Sequence, residues 1–192
     1  LREANMNIKG YFDFYGKKRM SKSMSLKIFK NEFYNFYKKL NIDKKKQSTF
    51  IGLENLFPNS DGTNDSFMCT YEEIKSIFNS EKFKKTNLCL LIDLGHLAIS
   101  SNKLGFDRYD FLKKVVENFG DRIFEVHISN NDEQRDLHER ITKNSWQLEA
   151  LKYFKNTGKL NDKTIFTIES RGMTIDQIKE DKNLIEEFIY KI

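Results

Sequence analysis

The feature that most constrains this chain is a run of five apolar residues, Leu88-Cys89-Leu90-Leu91-Ile92, that stops on Asp93. A strand with no polar alternation has no face to give to water, so it belongs inside a parallel sheet covered by helices. A lysine-rich, turn-prone stretch precedes it, and Gly95 just beyond it predicts a tight turn. Asp93 and His96 stand three residues apart at this strand end. Both are competent metal ligands, and a purely structural strand has little use for them.

The remaining elements follow from periodicity. Residues 6–15 alternate and are rich in aromatics, which reads as a strand or a loop. From Ser25 to Leu40, Leu26, Phe29, Phe33, Phe36, Tyr37 and Leu40 recur at helical spacing, and Asn41 to Gln47 forms a solvated connection. Ser48 to Leu53 reads as a strand that delivers Glu54, and Pro58 to Asp65 as a loop. Thr70 and Glu73 form a capping box ahead of an apolar stripe at Ile74, Ile77 and Phe78. After the central strand come a polar turn, a helix from Asp107 to Phe119, a strand from Ile123 to Ile128 and a polar loop from Asn130 to Arg140. A helix from about Ser145 to Phe154, a strand from Thr164 to Ile168 and a helix behind the Thr174/Gln177 capping box complete the order. Strands alternating with helices predict an α/β protein with a parallel sheet, either a barrel or a doubly wound sheet. No glycine-rich phosphate loop follows any strand, which counts against a dinucleotide or nucleoside triphosphate site.

With 192 residues, 39% hydrophobic content and 17 Phe, the chain can form one domain, residues 1–192, with a sizeable core. Its net charge of +5 comes mostly from scattered lysines, which more often make solvated faces than a nucleic-acid surface; nucleic acid is the weaker expectation for a partner. Two cysteines, Cys69 and Cys89, make no disulfide framework and suit a reducing cytoplasm. No stretch has the length of a membrane span, and no signal-peptide core opens the chain, so the expectation is a cytoplasmic protein with no membrane partner. The first residue is Leu rather than Met, which suggests an upstream segment.

Every strand read with assurance ends in a group that binds metal or moves protons: Glu54, then Asp93 with His96, then His127 with Asp136 and His138, then Glu169. All three histidines of the chain belong to this set. Singly, each has an ordinary reading as a surface carboxylate, a loop residue or a hydrogen-bonded core histidine. Jointly they fit a barrel, whose strands bring their carboxyl ends to one face. Mixed imidazole and carboxylate ligands suit manganese, zinc, cobalt or iron better than calcium.

The segments Ile-Gly-Leu-Glu54-Asn55, Leu-Ile-Asp93-Leu-Gly-His96, Glu-Val-His127-Ile-Ser-Asn-Asn, Asp136-Leu-His138 and Phe-Thr-Ile-Glu169 resemble the strand-end motifs of the xylose isomerase-like TIM barrels. That superfamily includes sugar and sugar-phosphate isomerases and epimerases and also endonuclease IV, which acts on abasic DNA. The resemblance runs from about Phe50 to the carboxyl terminus and implies a partial barrel, incomplete at its amino-terminal side, with parallel strands and outer helices. In the epimerase branch, Glu54, Asp93, His127 and Glu169 would hold one divalent ion. Glu54 and Glu169 would also be the catalytic acid and base, with His96, Asp136 and His138 contacting a small sugar-like substrate. In the endonuclease branch the same residues would belong to a three-zinc cluster. Two further histidines of that branch have no counterpart, because no histidine precedes His96, and the glycine-rich turn after the Asp-x-His pair is replaced by Glu139-Arg-Ile-Thr-Lys-Asn-Ser. A metal-dependent isomerase or epimerase is the leading expectation, followed by a phosphodiester hydrolase and a non-catalytic, degenerate barrel. A partial barrel leaves strand edges to be covered by the amino-terminal segment, by an upstream region or by a second copy in a homo-oligomer.

Overall fold

A computed structural model describes residues 3–6, 12–15, 20–40, 50–160 and 162–190 of the chain. Among these residues the fold is α/β, built on one all-parallel sheet of four strands with six helices, and a separate antiparallel pair lies near the amino terminus. The pair is β1 (Glu3–Met6) with β2 (Phe12–Tyr15), so the stretch 6–15 read as a strand or a loop contains β2 and only the last residue of β1. The expected connection at residues 41–47 lies outside the described residues.

Helix α1 (Lys22–Lys39) starts where the Ser21 hydroxyl accepts the Met24 N–H, and it ends on Lys38 and Lys39, which complement the negative end of its dipole. Leu26, Phe29 and Phe33 face the core, with Phe29 against Phe67 and Phe33 against Phe83. The Tyr37 hydroxyl accepts the N–H of Asn87 at 2.9 Å, which ties the helix to the entry of the central strand. Lys22 meets the buried Glu73 at 3.1 Å and fixes the other end.

The main sheet has β3 (Ile51–Glu54), β4 (Leu88–Asp93), β5 (Ile123–Ile128) and β6 (Ile165–Ile168) in sequential order. Between them run α2 (Tyr71–Phe78), α3 (Leu94–Leu104), α4 (Arg108–Phe119) and α5 (Trp146–Thr157), and α6 (Ile175–Tyr190) follows β6. A doubly wound sheet reverses its strand order at a switch point. The four described strands show no such reversal, an order that fits a barrel segment and also one half of a doubly wound sheet. Right-handed crossovers that always advance in one direction place their helices on one face. Leu88, Leu90 and Ile92 point to that face and are fully buried against Ile74, Ile77, Leu112 and Val115. The opposite face carries Gly52, Glu54, Cys89, Leu91, Asp93, Glu125, His127, Ile165 and Thr167, and it is more open, with Ile165 49% exposed.

One expectation is corrected. No polar turn separates the central strand from the next helix, because the chain enters α3 directly, with Asp93 as its N-cap: the Asp93 carboxylate accepts the His96 N–H at 2.6 Å. Gly95 serves close approach rather than a turn. A Cβ there would lie 2.9 Å from Ser129 Oγ and 3.1 Å from Asn131 Nδ2, and the Gly95 carbonyl accepts a hydrogen bond from that same amide. The polar Ser100 and Ser101 of this helix are buried, their hydroxyls donating to the carbonyls of Leu56 and Phe106.

Candidate metal centre

Asn55 continues β3 with its side chain. The last ladder bond runs from the Asn55 N–H to Leu91, and beyond it Asn55 Oδ1 accepts the Asp93 N–H at 2.8 Å while Nδ2 donates to the Asp93 carbonyl at 3.0 Å. A side-chain amide thereby stands in for the next peptide group and sets Asp93 at the strand end. The Asn55 carbonyl then faces His96 Nδ1 at 2.9 Å, which orients that ring.

Glu54, Asp93, His127 and Glu169 each present one ligand atom, and the four atoms lie within 4.8 Å of one another. Four consecutive strands supply them, Glu169 standing just past the end of β6. This arrangement can hold a metal ion. His127 Nε2 is engaged by Glu125 at 3.1 Å, and Thr167 donates to the same carboxylate oxygen at 2.7 Å, so Nδ1 is the nitrogen left to face the cluster. Asp93 Oδ2, His127 Nδ1 and Glu169 Oε2 are buried and turned toward the same point, the His127 nitrogen lying 3.1 Å from Glu169 Oε2 and 3.7 Å from Asp93 Oδ2. These atoms have one another as neighbours, and two carboxylates gathered with an imidazole in the interior make a place that suits a cation.

The electrostatics show the same strain. Burial pushes Asp93 up to about 6; His96 pulls it back, and Glu54 and Glu169 add to the rise. The Glu169 carboxylate, 3.1 Å from the ring, raises His127 to about 9 against the effect of burial, and His127 in turn lowers Glu169 to about 2. Burial alone would lower His96, but Asp93, Asp136 and Glu54 outweigh it and bring it to about 10. The surrounding carboxylates thus favour the charged forms of His96 and His127.

His96, Asp136 and His138 sit in the same cup. Asp136 Oδ2 is 2.8 Å from His138 Nε2 and 3.7 Å from His96 Nε2, while His138 Nδ1 faces the Glu169 carbonyl at 2.9 Å. Both rings have Nδ1 on a backbone carbonyl and turn Nε2 toward one carboxylate. Asp136, which alone reads as an exposed turn residue, is 4% exposed. Its loop is held by Arg140, which donates to the buried Asp181 of α6, and His138 adopts a left-handed backbone at φ 52° to face inward.

A cavity of about 220 Å³ opens over these groups, lined by Glu54, Phe57, His96, Asp136, Glu169 and Arg171 among others. All the site residues expected from the sequence therefore come together. Glu125, the amide clamp of Asn55 and Arg171 were not anticipated. Glu125 had one available signal, its position two residues before His127 on the same face of β5. Among the described residues no helix is long and apolar enough to cross a membrane. Comparison with protein-family models, with curated proteins and with solved structures returns no match to this chain.

Proposed function

We propose that the chain is part of a xylose isomerase-like barrel and acts as a divalent-metal-dependent isomerase or epimerase on a small sugar-like hydroxy-carbonyl compound. The observation that carries this reading is the convergence of Glu54, Asp93, His127 and Glu169 at successive parallel strand ends under a small cavity. Reach across the sheet supports the barrel: Glu54 of β3 and Glu169 just past β6, on the two outer strands of four, bring ligand atoms within 4.8 Å. Register supports it as well. Relative to the row Glu54, Leu91, Glu125, Ile165, the ligands stand at that row on β3, two residues beyond it on β4 and β5, and four beyond it at β6. A level plane through an eight-stranded barrel of shear eight climbs about one residue per strand, close to this stagger.

Glu54, Asp93, His127 and Glu169 would hold the ion, with Glu125 fixing the His127 ring. When bound, the ion supplies Lewis acidity that polarises a substrate carbonyl and acidifies the neighbouring C–H. Glu54 and Glu169, on the two outer strands, approach a substrate from opposite sides, so one takes the proton beside the carbonyl and the other returns it. His96 and His138 turn Nε2 atoms into the cup to bind hydroxyls, and Phe57, its ring tilted against His96 at 4.8 Å between centroids, supplies an apolar wall. The cavity has the liquid volume of about seven waters, which suits a small substrate better than a polymer.

A second reading, hydrolysis of phosphodiesters at abasic DNA, draws on the His96, Asp136 and His138 trio. His138 Nε2 is hydrogen-bonded to Asp136 Oδ2 at 2.8 Å with His96 Nε2 3.7 Å from the same oxygen, a donor set that could take a second ion, and paired ions serve phosphoryl transfer. Zinc- or manganese-loaded protein incubated in D₂O with a panel of small aldoses, ketoses and their phosphates tests the first reading by NMR. Deuterium appearing beside the carbonyl supports it, and its loss in Glu169→Gln assigns the carboxylate. No exchange with any compound, together with cleavage of an abasic oligonucleotide, would replace it by the second.

A further inference from the structure

The cavity above the metal cluster has an acidic floor, and among its lining side chains Arg171 is the one that carries a permanent positive charge. Arg108 is paired with Glu133, Arg135 with Asp132 and Arg140 with Asp181, and Arg122 donates to the carbonyls of Phe83 and Thr86. Arg171 is the exception among the described arginines: its guanidinium has no hydrogen bond or ion pair with a described residue. Its backbone, by contrast, is anchored. The Arg171 N–H donates to the His138 carbonyl at 2.8 Å, which locks it to the loop that carries Asp136 and His138, and Gly172 at φ 67° turns the chain away immediately afterwards. Glu169, two residues earlier, lines the same cavity, yet the two side chains form no ion pair. A fixed backbone places a five-donor planar cation at the mouth of a substrate-sized cup with its donors unspent.

We propose that Arg171 receives a terminal oxyanion of the substrate, a phosphate or a carboxylate, while the carbonyl end lies over Glu54, Asp93, His127 and Glu169. This rests on the metal-site reading above and narrows it: the substrate is an anionic hydroxy-carbonyl compound rather than a neutral sugar. A guanidinium matches either oxyanion through two parallel N–H···O bonds, so the two share one recognition chemistry. A guanidinium at the rim meets the anionic end there and leaves the uncharged carbonyl end to the ion.

The test uses the full chain loaded with one equivalent of zinc and two probes, inorganic phosphate and acetate, titrated by calorimetry into wild type, Arg171→Gln and Arg171→Lys. The expected result is binding of at least one probe by wild type, weakened about tenfold or more in Arg171→Gln and partly recovered in Arg171→Lys. Zinc content and urea midpoint should stay unchanged in both variants, because Arg171 is exposed and outside the ligand set. The preferred probe distinguishes phosphate from carboxylate. Equal affinity in wild type and Arg171→Gln, or no binding of either anion by zinc-loaded wild type, overturns this proposal and leaves the metal site standing. Failure of wild type to take up zinc overturns both.

Discussion

Replacing Asn55 with alanine isolates the device that ends β3 and positions Asp93. Asn55 is 1% exposed and makes two bonds to one residue, accepting the Asp93 N–H at 2.8 Å and donating to the Asp93 carbonyl at 3.0 Å. The two losses are unequal. The Asp93 carbonyl also begins α3, so removing Nδ2 costs about 1 kcal/mol, a typical net hydrogen bond. The Asp93 N–H has no ladder partner at this point of β3, and orphaning it in the interior costs about 1–3 kcal/mol. The sum is about 2–4 kcal/mol, a large part of the 5–15 kcal/mol typical of a whole domain. With a urea slope of about 2–3 kcal/mol/M for a chain of this size, the midpoint should fall by roughly 0.7–2 M. Urea unfolding followed by circular dichroism reads this directly, and zinc uptake of the same variant should fall with it because Asp93 loses its anchor. A midpoint shift under about 0.3 M with zinc uptake intact would refute the idea that the amide stands in for the missing strand residue.

Two further perturbations address the site. Glu125→Gln keeps the shape beside His127 and removes the charge that orients its ring, so zinc affinity should drop about 10- to 100-fold while the urea midpoint barely moves; unchanged affinity would show that His127 needs no such support. In chelator-treated protein the His127–Glu169 pair is fully charged between pH 4.5, the ordinary Glu value, and pH 6.5, the ordinary His value. Its contribution fades as pH falls toward 2, where Glu169 protonates, and as pH rises through about 9, where His127 loses its proton. Asp93, raised to about 6 chiefly by burial, lowers stability earlier, as pH climbs from its ordinary 3.8 to about 6, and adds nothing to the change above that. Stability should therefore decline from pH 6.5 to 9 without metal, and zinc should abolish that decline; urea midpoints at three pH values, with and without zinc, decide it, and a midpoint that rises with pH in chelator-treated protein would contradict the assignment.

The parts of the fold that were legible in the sequence are those where pattern and burial agree. The apolar run of β4, the stripe of α4 and the Thr174/Gln177 box, whose two reciprocal bonds form at 2.9 and 3.3 Å, need no tertiary information to be read. Helix α3 was misread because Gly95, Ser100, Ser101 and Asn102 carry turn propensity, and only the packing of Gly95 against Ser129 and the burial of both serines make a helix the better choice. The ligand set was legible because each member ends a strand or follows its end. Asn55 and Arg171 were not, since an amide that imitates a peptide group and an arginine left without a partner are defined by what surrounds them in space.

Equilibrium dialysis against buffered zinc, followed by elemental analysis of wild type, His127→Ala and Glu169→Gln, tests the central assignment most directly. Ligand atoms gathered within 4.8 Å should retain one ion per chain in wild type and clearly less in both variants at the same free zinc. Equal metal content in all three proteins, or none in wild type, would mean that the four strand ends meet without forming a metal centre.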